Sequence, residues 1–298
     1  MKRRLWILMA VLLIALSLSS AEEGITITDM CGRVVRLDKP AERVVALSPS
    51  DCEILAYLGC EEMLLGRGTY CDYPESILSV PVVESGAQTN IEQIIALVPE
   101  VVLMTEMAQT VEQIDMLENA GIRVVVSDAD DIEGTYYAIE MIGTLLGKYD
   151  EAQKLIQDMK STFEKVSSLS KNAGKTVYFE VSPLEWGLWT AGTGTFMNEI
   201  AEMCGLTNAF GDLKGWKEIS QEQVLARNPD YIITTAMYFG DGQHPVDEIM
   251  NRAGWGYISA VQTGNVFLAD SNAITRPGPR LMEAAEEMHA FIEGQISE

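Results

Sequence analysis

At 298 residues, with 44 acidic against 21 basic side chains and a formal net charge of −23, the chain is long enough for two domains of ordinary size. Such a charge excludes nucleic acid and anionic lipid surfaces as partners. Five cysteines, an odd number with no Cys-x-x-Cys pair, exclude a disulfide framework; most read as small buried apolar residues, and only Cys71 falls in a loop.

Lys2, Arg3 and Arg4 precede an apolar run from Leu5 to Leu16 and the small residues Ser17–Ala21. This is a basic n-region, an apolar stretch too short to span a bilayer comfortably, and a cleavage region. Residues 1–21 are therefore expected to be a signal peptide, with an uncleaved anchor as the alternative. No cysteine follows the apolar run to accept a lipid. Cleavage would remove three of the 21 basic residues and none of the 44 acidic ones.

Ile25–Leu37 alternates around Gly32 and predicts a β-hairpin. Arg43–Leu47 reads as a buried strand, and Ser48–Asp51 as the cap of a helix, Cys52–Leu58, ended by Gly59. A short strand, Met63–Gly66, leads into an aromatic loop, Thr69–Pro74 (TYCDYP), and a further strand, Val80–Glu84. Beyond Asn90–Met104, Val111–Ala120 and Ile132–Leu146 read as helices with a strand, Ile122–Ser127, between them. Strands alternating with helices predict a mostly parallel sheet covered on both faces. Right-handed crossovers gather the strand-end loops on one edge.

Asp150–Leu169 predicts a longer charged helix whose apolar stripe is Ala152, Leu155, Ile156, Met159, Phe163 and Val166. After Gly174 the pattern restarts: a strand at Thr176–Val181, then Trp186–Thr190 running into a Gly-rich loop and a helix at Phe196–Met203. Val246–Ala253, Val266–Asp270 and a final helix, Arg280–Ile292, complete the chain.

One stretch occurs twice. Asn90–Met104, NIEQIIALVPEVVLM, returns 130 positions later as Ser220–Thr234, SQEQVLARNPDYIIT. In each, Asn90 or Ser220 can cap a helix and Gln93 or Gln223 can close a capping box. Pro99 or Pro229 ends the helix early, and a buried strand follows. Val111–Asp128 and Val246–Asp270 also echo each other, so the duplication covers most of two halves. The long helix falls between them as a connector.

Gly192-x-Gly194 between strand and helix can cradle a phosphate on backbone N–H groups, but the dinucleotide fingerprint and the Gly-Lys-Ser/Thr motif are both missing; a tight turn with a Thr cap is the simpler reading. The two histidines, His244 and His289, are far apart in sequence and make no metal-ligand cluster. No catalytic or metal-binding residue is assigned, and nothing supports a hydrolase. Glu92 and Glu222 each occupy the second helical position, where a carboxylate favours the helix dipole; the same pair can serve as docking charges. Tyr70, Tyr73, Trp186, Trp189, Trp216 and Tyr238 fall in or beside strand-end loops and, as a set from both halves, can line a cleft for a large flat ligand. Arg67, Arg276 and Arg280 lie near such loops and can meet a negative group.

These residues carry a family likeness. TDMCGRVVRL, RVVALSPSDCEILAYLG, TYCDYP, NIEQIIALVPEVVL, ISQEQVLARNPDYII and RPGPRLMEAAEE occur in the order found in substrate-binding proteins of ABC importers for iron–siderophores, haem and cobalamin, which the chain resembles from about Ile25 to its C-terminus. The resemblance implies an α/β fold of two Rossmann-like lobes with mostly parallel sheets joined by a single long helix (a class III periplasmic binding protein). The lobes would span residues 22–147 and 173–298, with the connector at 148–172. It implies a metal chelate between the lobes, corrinoid or ferric siderophore ahead of haem. It also implies a monomer in the periplasm or on the outer face of the cytoplasmic membrane, and an ABC permease with its ATPase as partner, contacted by one glutamate per lobe, Glu92 and Glu222. TYCDYP and the Trp before ISQEQ resemble the vitamin B12 binders most, which carries Tyr70 and Trp216 over as ligand contacts. Ala87 and Thr105 stand near where those binders have tryptophans. Arg276, in RPGPR, is typical of siderophore binders. An exported α/β enzyme, or a sensory or structural domain on the same fold, is the alternative from another class. No cofactor is implied.

Overall fold

The computed structural model describes residues 24–296 except 87–88, 106–109, 172–173, 239 and 241. The expected signal peptide and Ala87 lie outside the described residues. An antiparallel hairpin opens the chain, β1 (Ile25–Thr28) with β2 (Val34–Leu37). The first lobe continues through β3 (Val44–Ala46), α1 (Pro49–Tyr57), β4 (Leu64–Gly68), β5 (Val82–Val83), α2 (Ile91–Leu97), β6 (Val101–Met104), α3 (Val111–Asn119), β7 (Arg123–Val126) and α4 (Ile132–Leu145). After the connector α5 (Tyr149–Leu169), the second lobe has β8 (Thr176–Glu180), β9 (Leu188–Ala191), α6 (Phe196–Met203), β10 (Thr207–Asn208), β11 (Trp216–Ile219), α7 (Gln221–Arg227) and β12 (Tyr231–Thr234). It ends with α8 (Pro245–Met250), α9 (Ser259–Thr263), β13 (Val266–Leu268), α10 (Ser271–Ile274) and α11 (Leu281–Ile292).

Each lobe has one wholly parallel sheet, as the strand–helix alternation predicts. The first is β5-β4-β3-β6-β7 and the second β10-β8-β12-β13. Chain direction across the sheet reverses between β3 and β6 in one lobe and between β8 and β12 in the other. At such a reversal the loops leaving the strands diverge and open a crevice outside their carboxyl ends. A β9–β11 antiparallel ribbon lies beside the second sheet.

The stripe on α5 does what its spacing predicts. All six residues, Ala152, Leu155, Ile156, Met159, Phe163 and Val166, are buried. They pack against α4 of the first lobe and against α6 and α11 of the second, so one apolar cluster runs from lobe to lobe through the connector. Burial of each large side chain there contributes about 1.5–3 kcal/mol, enough to make α5 a stiff joint.

The repeated unit folds alike in both copies but is capped differently. Ser220 and Gln223 form a reciprocal capping box. Asn90 accepts from the Gln93 N–H, but the Gln93 side chain reaches instead to the Val82 carbonyl (2.8 Å); β5 runs close enough to compete for it. Both helices end on a left-handed residue before the proline, Val98 at φ 53° and Asn228 at φ 46°.

Candidate ligand-binding cleft

The loops at the two reversal points face each other. From the first lobe come Ser48–Ser50 after β3 and Thr69, Tyr70 and Asp72 after β4; from the second come Ala236–Tyr238 after β12 and Leu268–Pro277 after β13. Between them is a cavity of about 720 Å³. A second cavity of about 890 Å³ adjoins it, sharing Ala236–Tyr238, Ser271 and Thr275, and runs under the loop after β8 that carries Trp186. Each is of a size that takes a substantial organic ligand. Large apolar side chains stand unusually bare on these walls: Tyr70 is 73% exposed, Trp186 76%, Met237 68% and Tyr238 38%. Gly68 sets the approach of the Tyr70 loop, because a Cβ there would lie 2.2 Å from the Leu47 carbonyl oxygen, a contact no side chain tolerates.

The polar side of the cleft belongs to arginines that are already engaged. The Arg276 guanidinium reaches across the lobes to Glu53 (2.9 Å) and Asp72 (2.9 Å) and donates to the Tyr70 carbonyl (3.3 Å). Glu53 is fully buried. Burial raises its carboxyl pKa to about 7, with Arg276 and Arg280 opposing. Arg280 lies over the Tyr73 ring at 4.3 Å and pairs with Asp270 (2.6 Å) and Glu283 (3.1 Å). Behind the second cavity, Arg252 grips Glu180 through two bonds of 2.8 Å, pairs with Glu248, and stacks on Trp255 at 4.1 Å. Other links between the lobes include the Tyr57 hydroxyl donating to Glu283 (2.9 Å), the Phe196 N–H donating to the Asp130 carbonyl (2.9 Å), the Ile132 N–H donating to Glu199 (2.8 Å) and Arg280 beside Glu53 (3.9 Å).

Of the residues singled out from sequence, Tyr70 and Arg276 line the cleft. Trp216 lines neither cavity; it is half-buried and its ring packs on Phe196 at 5.5 Å, beside the Phe196–Asp130 link. Arg67 donates to the carbonyls of Cys71, Leu78 and Val80, which fixes the TYCDYP loop. The Gly192 loop is a tight turn: its N–H groups already bind Gly215 and Leu213 carbonyls, and Thr195 caps α6. Cys71 lies in a loop, as read from the sequence, and is fully buried; Cys31, in the turn of the opening hairpin, is the exposed cysteine. Ser48, Ser50, Met237, Ser271 and Thr275 were missed; only their places just past strand ends could have signalled them.

Glu92 and Glu222 are both exposed on first helical turns. The Asn90 N–H bonds the Glu84 carbonyl just past β5, whose end pairs with Gly68, so Glu92 lies at the same sheet edge as the cleft. In the second lobe α7 runs back against β12, and Glu222 lies at the corresponding edge. The Glu222 carboxyl is held below its ordinary pKa by its own backbone N–H and by the Ser220 side chain, which keeps it charged.

Among the described residues no helix is long and apolar enough to cross a membrane, and no group of three or more His, Cys, Asp or Glu is placed to hold a metal ion. Residues 44–273 match the model of the periplasmic binding protein family. An uncharacterized ABC transporter substrate-binding lipoprotein of Bacillus subtilis is 36% identical over 271 residues, 89% of this chain and 84% of that protein. The vitamin B12-binding protein of Vibrio cholerae is 25% identical over 85% of this chain and 90% of its own length. A crystal structure described as a possible iron-binding periplasmic solute-binding protein from Staphylococcus epidermidis superposes with a TM-score of 0.71 at 31% identity, covering 85% of this chain and 99% of that one. The chain belongs to the periplasmic binding protein family, as an exported substrate-binding protein of an ABC transporter.

Proposed function

We propose that this protein carries a bulky metal chelate, a corrinoid or a ferric siderophore ahead of haem, to an ABC permease and its ATPase. It acts as a monomer and by binding alone, without catalysis. The observation that carries the reading is the pair of strand-end loop sets facing across one cavity, which continues into a second cavity within the second lobe, with bare Tyr70, Trp186, Met237 and Tyr238 on their walls. Large rings exposed to water in a concave site gain by covering a large ligand. Tyr70 contacts the chelate from the first lobe and Trp186 and Tyr238 from the second, Arg276 ties the two lobes at the rim, and Trp216 acts from outside the cavities through its packing on Phe196. Glu92 and Glu222, one per lobe on the cleft edge, meet cationic residues of the permease.

The test is the visible absorption spectrum of protein purified from its own host, followed by titration of the stripped protein. Corrinoid, haem and ferric siderophores absorb distinctively. A colourless preparation that binds none of cyanocobalamin, haemin, a ferric trihydroxamate or a ferric tris-catecholate would refute the proposal.

A further inference from the structure

Three arginines around the cleft are each outnumbered by carboxylates. Arg252 holds Glu180 and Glu248, Arg276 holds Glu53 and Asp72, and Arg280 holds Asp270 and Glu283. Five of the cavity-lining side chains are acidic, Asp72, Asp270, Glu180, Glu185 and Glu248, against one base, Arg276. Glu185 is exposed on the wall of the second cavity. Arg67 is bound to three carbonyls and lines neither cavity. The undescribed internal positions 87–88, 106–109, 172–173, 239 and 241 contain no lysine, arginine or histidine in the sequence, so none of them supplies a missing cation.

Among the described residues, Arg276, the one base that lines either cavity, is therefore already committed to carboxylates when an anion enters. To recruit Arg276 the anion would have to displace Asp72 or draw the guanidinium off the fully buried Glu53, which would keep only Arg280, at 3.9 Å, and weakening the pairing of a buried carboxylate is costly. The net charge of the whole chain, −23, adds long-range repulsion of the same sign. The exposed rings offer apolar contact to any chelate whatever its charge. We infer that the cleft selects metal chelates of zero or positive net charge and rejects polyanionic ones. The inference rests on the proposed function and narrows its ligand class: corrinoids and neutral or cationic hydroxamate chelates fit, and tris-catecholates do not.

The experiment titrates the purified protein with three probes at low and high sodium chloride: neutral cyanocobalamin, a cationic linear ferric trihydroxamate, and a trianionic ferric tris-catecholate. The neutral or cationic probe should bind at least about tenfold tighter than the tris-catecholate, whose weak binding should strengthen as salt screens the carboxylates. Tightest binding by the tris-catecholate, weakened by salt, would overturn the inference and leave the proposed function standing. Failure of all three to bind, with haemin also inert, would overturn the proposed function and the inference with it. Asp72→Asn leaves Arg276 one carboxylate fewer. It should shift the ratio of tris-catecholate to cyanocobalamin affinity about fivefold toward the tris-catecholate; an unchanged ratio would show that the paired carboxylates are not what excludes it.

Discussion

Asp51 should make the protein less stable as pH rises, and Asp51→Asn should abolish that part of the trend. The residue lies in the first turn of α1 and is fully buried. Burial raises its pKa to about 7, the neighbouring Ser127 hydroxyl pulling the other way and Asp128 adding to the rise. In the unfolded chain the group titrates near 3.9. Between those two values the native state binds the extra proton, so stability is present at low pH and falls as pH rises through the folded pKa. From pH 5 to pH 8 that linkage amounts to on the order of 2.5 kcal/mol, or about 5–10 °C in melting temperature for a chain of this size. Glu53, also raised to about 7, steepens the wild-type slope in the same sense, so the comparison must be with the single variant. The melting-temperature difference between Asp51→Asn and wild type, followed by circular dichroism, should grow by about 5–10 °C in favour of the variant between pH 5 and pH 8. Parallel pH profiles for the two proteins would refute the reasoning.

Reversing both charges proposed to dock, Glu92→Lys with Glu222→Lys, should abolish stimulation of the transporter's ATPase and leave chelate affinity unchanged, with a small loss of stability from each helix dipole, since both side chains are exposed and rim charges act chiefly on encounter and register; full stimulation would return the pair to helix-dipole compensation. Tyr70→Ala, which removes a ring 73% exposed on the cleft wall, should weaken chelate binding by roughly 2 kcal/mol, or about thirtyfold. Trp216→Ala should cost less, because its ring is already engaged by Phe196; calorimetric titration of the two variants checks the order.

Most of the fold was legible because periodicity and caps report local physics. The six-residue stripe on α5 is buried in full, and Phe196–Met203 is a helix at the predicted bounds. What a sequence does not show is which partner a polar side chain meets across the fold. Arg276 sits 223 residues from Glu53, and no local pattern in RPGPR says that its guanidinium is engaged by carboxylates of the other lobe. The same blindness hid the competition of Val82 for Gln93 and the burial of Cys71, whose loop folds inward because Arg67 gathers its carbonyls. Of the aromatic side chains read at strand ends, Tyr70, Trp186 and Tyr238 line the cavities; Trp189 and Trp216 lie within β9 and β11, and the half-burial of Trp216 against Phe196 was not legible.

The repeated unit explains why the cleft shares an edge with Glu92 and Glu222. Val98 and Asn228 adopt left-handed backbone, a conformation costing about 1–2 kcal/mol for a residue with a Cβ. It reverses the chain within a few residues, so each seven-residue helix runs back against the strand that follows it. The helix N-terminus, carrying Glu92 or Glu222, is thereby placed at the carboxyl edge of the sheet, where the loops that form the cleft also emerge. A permease holding one glutamate of each lobe would grip both walls of the cleft from the side on which it opens. Any change in the spacing of its contacts would then act directly on the seam pinned by Arg276, Glu53 and Asp72, coupling docking to release through the same few side chains.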